Sequence, residues 1–142
     1  MGCGARGSGV FVCHHCGVAF APLVDVESQR QALEELHGQL AKHDAPAVLL
    51  KNAFLPDDPR LLIDAGLRLL PMLENAAGQS VAAGRMRAII IKLRLLGDDP
   101  TVARAVAELQ AALDSYEKSD NRTGIVIVSL ALGIVALLLW KC

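Results

Sequence analysis

The chain has 142 residues, of which 53% are hydrophobic and 20% charged, with a formal net charge of −1. That balance excludes a strongly basic nucleic-acid binder and an acidic disordered chain, so no nucleic-acid partner is expected. The apolar excess is uneven and divides the chain into three: a Cys/His/Gly-rich head over residues 1–24, a Leu/Ala-rich region over 25–119 and an apolar end over 120–142.

The head contains Val-Phe-Val-Cys-His-His-Cys-Gly at residues 10–17. Two cysteines separated by two residues share a tight turn, so both thiolates can reach one metal ion at about 2.3 Å. Gly17 supplies the backbone freedom such a turn needs. The run resembles one knuckle of a zinc ribbon, in which a β-strand enters a CxxCG turn. A full ribbon has a second knuckle, and this chain holds one. Zinc takes four ligands, and the expected set is Cys13, Cys16, Cys3 and one histidine, His15 or His37 being the better choices. Two copies sharing one ion through Cys13 and Cys16 is the alternative. His37 and His43 are six residues apart, about 240° around a helix, and cannot grip one ion together.

Other chemistries compete for the same motif. A CxxC pair can be a redox couple, with a neighbouring histidine lowering a thiol pKa, yet the βαβ pattern of a thioredoxin-like enzyme is missing around it. Haem attachment is excluded because Gly17 stands where CxxCH requires histidine. Met-Gly-Cys at the start invites lipidation, but Arg6 occupies the position where Ser or Thr is needed.

The first helix is expected over 27–43, with Val26, Leu33, Leu36 and Leu40 as a narrow apolar stripe and His37 beside it as a half-buried packing residue. Ala45-Pro46 starts a short apolar helix that Leu55-Pro56 closes. Asp-Asp-Pro then occurs at 57–59 and again at 98–100, an offset of 41 residues. Both triplets are helix starts, with Asp58 and Asp99 as N-caps and Pro59 and Pro100 in the first helical position. Apolar residues follow at steps of four and three: Leu62, Gly66, Leu69 and Leu73, then Val102, Val106, Leu109, Leu113 and Tyr116. Pro71 is expected to kink the earlier helix near Leu67. The offset lies near the HEAT/armadillo period, and Leu95-Leu96-Gly-Asp-Asp-Pro-Thr-Val-Ala-Arg resembles a HEAT turn. An irregular helical bundle accounts for the same pattern.

Between the echoes, residues 79–97 hold Arg85, Arg87, Lys92 and Arg94 and no acid. On a helix these cations form two thin stripes between two apolar faces, Met86/Ile89/Ile90/Leu93/Leu96 and Ile91/Leu95. The expectation is a helix packed on both sides, its cations reaching acidic neighbours; an anionic-lipid or partner patch is the alternative.

Residues 124–140 carry no charge. As a helix they would span roughly 25 Å at about 1.5 Å per residue, a short but admissible membrane crossing once Lys141 snorkels and Trp140 sits at the interface. Lys118 and Arg122 before the segment against Lys141 after it lean towards a cytoplasmic N-terminal part. Ser129, Gly133 and Ala136 form a small-residue face that could pair two copies.

The expected fold class is therefore mainly α: a small Cys-rich knuckle, a helical bundle or short HEAT-like α-solenoid, and one C-terminal transmembrane helix. No Walker loop, GxSxG elbow, HExxH, EF-hand loop or Rossmann fingerprint occurs, so catalysis is the minority expectation. The leading expectation for function is a tail-anchored, single-pass membrane adaptor whose cytoplasmic helical domain binds a protein partner, with a zinc-stabilised head. Its rivals are a membrane-tethered thiol redox or metal-handling protein, and a small subunit of a larger membrane complex.

Overall fold

The computed structural model describes residues 11–20, 22–74, 78–97 and 99–119. Among these the chain forms five helices: α1 Val26–Leu40, α2 Pro46–Asn52, α3 Pro59–Glu74, α4 Gln79–Leu95 and α5 over residues 100–119. No strand occurs among the described residues; the head contributes an isolated antiparallel bridge, Val12 to Ala19.

Each helix start has a local cause. Asp25 caps α1 by accepting the Ser28 N–H at 2.7 Å. Asp58 Oδ1 accepts the Arg60 and Leu61 N–H groups at 2.9 and 3.1 Å, with Pro59 as the first residue of α3. Asp99 Oδ1 repeats the arrangement for Thr101 and Val102 at 2.7 and 3.3 Å, with Pro100 opening α5. Both expected caps are present. α3 runs on through Pro71, which is exposed near its end.

Two apolar clusters organise these helices. In the larger, Leu62, Ala65, Leu69 and Leu73 of α3 meet Ala82, Ala83, Met86, Ile89, Ile90 and Leu93 of α4, and α5 closes it with Val102, Leu109 and Leu113. Gly66 is where α5 rests on α3: a Cβ there would meet Leu109 Cδ1 at 2.6 Å. In the smaller, Val12 of the head sits among Ala32, Leu36, Leu49 and Ala53, with Phe11, Ala19 and Leu23 around it. The head is thus packed on α1 and α2. Gln29, 4% exposed, ties the two regions by donating to Leu23 O at 3.0 Å and accepting the Asp57 N–H at 2.8 Å.

The expected fold class requires correction in its membrane component. Among the described residues no helix is long and apolar enough to cross a membrane. Charges interrupt the longer helices: α4 carries Arg85, Arg87, Lys92 and Arg94, and α5 carries Arg104, Glu108, Asp114, Glu117 and Lys118. Residues 124–140, on which the transmembrane expectation rested, lie outside the described residues, as do Cys3, Ser129, Gly133 and Ala136. The observed architecture is mainly helical, with a docked N-terminal turn.

α4 also departs from expectation. Its Met86/Ile89/Ile90/Leu93 face is buried, but Ile91 and Leu95, expected to face a second neighbour, are 58% and 80% exposed, and Leu96 is 44% exposed. Apolar periodicity shows which residues share a face; it does not show how many neighbours the helix has.

Candidate functional site

The CxxCG turn forms as the sequence suggests. The Gly17 N–H donates to Cys13 O at 2.8 Å, the Cys13 N–H to Val18 O at 2.9 Å and the Phe20 N–H to Phe11 O at 3.0 Å. Gly17 has φ +72°, the left-handed region that glycine enters at no steric cost. Its Cα also lies against the backbone of α2, where a side chain would run into the Leu49 carbonyl group. The glycine therefore serves the turn and its docking together.

Cys13 and Cys16 come together in this turn, and both are buried, at 4% and 7% exposure. His15 is exposed. Cys3 lies outside the described residues, and among the described residues no three His, Cys, Asp or Glu side chains are grouped to hold a metal ion.

The histidines separate into two places. His37 lies between α1 and α3 in the wall of a cavity of about 20 Å³ shared with Leu33, Leu50, Leu69 and Arg85. Such a space holds about one water. Burial, with Arg68 nearby, lowers the His37 pKa from 6.5 to about 4, and its buried Nδ1 has no hydrogen-bond partner. It is the half-buried packing residue its place beside the α1 stripe implied.

His14, His15 and His43 instead line one open depression of about 460 Å³ with Glu35, Gln39 and Lys42. His14 Nε2 is 3.7 Å from Glu35 Oε1. Glu35 Oε2 accepts the Phe11 N–H at 2.9 Å, and Gln39 Nε2 donates to Glu35 Oε1 at 3.2 Å. Sequence reasoning missed Glu35 and Gln39. A helical i, i+4 pair is visible in the chain, but not the turn from another segment that folds over it. A larger cleft of about 680 Å³, bordered by Leu70, Glu74, Gln79, Ser115 and Tyr116, opens at the far end of α3 and α5, away from every cysteine and histidine described.

The cations of α4 reach two kinds of partner. Arg87 pairs with Glu117 at 2.6 Å and Lys92 with Asp57 at 2.6 Å, as expected of cations reaching acidic neighbours. Arg85 does something else: its guanidinium donates to the carbonyls of Ala53 and Phe54, capping the chain after α2, and burial lowers its pKa. Lys92 adds a bond to Leu55 O at 3.1 Å. Arg94 meets Gln110 at 3.3 Å. Ile91 and Leu95 thus form an exposed apolar strip, with Arg87 and Arg94 along the edge towards α5 and Lys92 along the other.

No family model, curated protein or solved structure matches the chain.

Proposed function

We propose that the chain is a protein-binding module in which α4 presents Ile91 and Leu95 to a partner. One observation carries this reading: the two apolar side chains are 58% and 80% exposed on the same side of the helix. Contiguous exposed apolar surface marks interaction sites, whereas isolated exposed leucines are ordinary. Arg94 beside the strip meets the neutral Gln110 amide and no acid, so its charge favours an acidic partner, and a strip one helix wide suits an amphipathic helix. Residues 124–140, which carry no charge, would hold the module at a membrane, and Lys118 and Arg122 against Lys141 favour the helical domain on the cytoplasmic side. The role is that of an adaptor.

Zinc in the head is part of the same proposal. Cys13 and Cys16 would supply two thiolates from the closed turn, with Cys3 and His15 as the remaining ligands. The fit of the donor set is half made among the described residues: two buried sulfurs lie in one turn, His15 is exposed, and Cys3 lies outside the described residues. Burial of both sulfurs argues against the thiol redox alternative, because a reactive thiol needs solvent access.

The test is a pair of substitutions on the exposed strip, Ile91→Glu and Leu95→Glu, in the full chain isolated from its own membrane with a mild detergent. A partner that copurifies with the wild type and is lost from both variants, at unchanged helix content, supports the adaptor. A partner retained by both variants places the interface elsewhere and refutes the reading. Metal analysis of the same preparations tests the head: about one equivalent of zinc, released on Cys16→Ser, is expected, and wild-type protein without zinc rejects it.

A further inference from the structure

The two cysteines proposed to hold zinc are tied to the helices through their neighbours in sequence. Val12 precedes Cys13 and is 0% exposed, in a cluster with Ala32, Leu36, Leu49 and Ala53. Gly17 follows Cys16, and a side chain there would run into the Leu49 carbonyl group of α2. The Phe11 N–H adds a bond from the head to α1, donating to Glu35 Oε2 at 2.9 Å. Both ends of the CxxC turn are therefore seated on α1 and α2.

That seating orders the turn. Cys13 and Cys16 are 4% and 7% exposed, a burial that residues 11–20 are too short a segment to provide by themselves. Within the head the backbone closes through Cys13 N–H to Val18 O and Phe20 N–H to Phe11 O, and an isolated hairpin of this kind is marginal in water. Ordering a loop around an ion costs conformational entropy, and a loop already held in place avoids that cost. An ion that binds the docked head more tightly than the released head must favour docking in the same proportion.

We infer, on the zinc reading of the head, that metal binding at Cys13 and Cys16 and docking of the head on α1 and α2 are one coupled equilibrium. Removal of the metal loosens the turn, and with it the hold of Val12 and Gly17 on the helices. The head is then a cover whose closure over Leu36 and Leu49 depends on metal supply, while the larger cluster of α3, α4 and α5 stays closed.

Amide hydrogen exchange of the full chain in detergent micelles, with free zinc set by a chelator buffer, tests this. The Phe11 N–H reports docking because its acceptor is on α1, whereas the Cys13 and Phe20 N–H groups report closure of the turn itself. Protection at Phe11 is expected to rise in proportion to free zinc, about a hundredfold when zinc is on the order of a hundred times its dissociation constant. Ile89 and Leu93 amides in α4 should not respond. Leu36→Ala trims the receiving face and leaves every residue of the turn in place. It should lower Phe11 protection at every zinc level and keep the proportional rise. Zinc that protects Cys13 and Phe20 but not Phe11 would overturn the coupling and leave the zinc reading standing, and so would Phe11 protection unaltered by Leu36→Ala. A wild-type chain that takes up no zinc would reject the zinc reading and the coupling together.

Discussion

Replacing Gly17 by alanine tests whether the head is a fixed part of the fold. Two costs arise at that position. An L-residue at φ +72° is in the left-handed region, at about 1–2 kcal/mol. The new methyl group would also meet the Leu49 carbonyl, with the Leu49 carbonyl carbon and Cα at 3.1 and 3.2 Å. Backbone atoms cannot rotate out of the way, so overpacking of about 1–3 kcal/mol follows. The sum is about 2–5 kcal/mol, a large share of an ordinary domain's stability. Relief by undocking would lift Val12 out of a site where it is 0% exposed, at about 1.5–3 kcal/mol, so neither route is cheap. Amide hydrogen exchange in the full chain should show protection of the Cys13 and Phe20 N–H groups, which close the turn, falling by the corresponding factor. Gly38→Ala is the control: it lies exposed inside α1 with nothing within 4 Å, and should stabilise by up to about 1 kcal/mol. Protection in Gly17→Ala within about 0.5 kcal/mol of wild type would refute the docked head.

Acid should destabilise the helical core through His37. Its folded pKa of about 4 lies below its ordinary 6.5, so between these values the unfolded chain takes up a proton that the folded chain refuses. The stabilisation is fully present above about pH 6.5 and is lost as the pH falls through the window to about 4, by about 1–2 kcal/mol after allowance for solvent screening. Urea midpoints measured across that range should flatten in His37→Gln, and an unchanged slope would reject the cause. Asp58→Ala and Asp99→Ala should each cost about 1 kcal/mol in thermal or urea unfolding, because each removes acceptor bonds to two N–H groups at a helix start. Asn in place of either Asp should restore most of the loss.

What could be read from the chain was local. Asp58-Pro59 and Asp99-Pro100 name their own caps, because donor and acceptor lie within three residues. The CxxCG turn was legible for the same reason. Gln29 was not, since its oxygen meets the Asp57 N–H, 28 positions later. Arg85 looked like a cation seeking an acid, but its partners are backbone carbonyls left open where α2 ends, which no charge pattern encodes. The depression that joins His14 to Glu35 exists because Val12 and Phe11 bring the head onto α1, a packing event between segments more than twenty residues apart. The exposed side of α4 was misjudged for a related reason: Ile91 and Leu95 have the spacing of a buried face, and among the described residues no helix covers them.

Docking of a partner on the exposed Ile91/Leu95 strip is the proposal on which the adaptor role depends. Site-specific photo-crosslinking in cells measures it most directly, with the probe at Leu95 on the strip and, for comparison, at Arg60 on the exposed side of α3. One discrete crosslinked protein is expected from Leu95, absent from Arg60 and abolished by Ile91→Glu in the same chain. The crosslinked segment should be an acidic amphipathic helix. Crosslinking to lipid alone, or a product equally strong from Arg60, would contradict it.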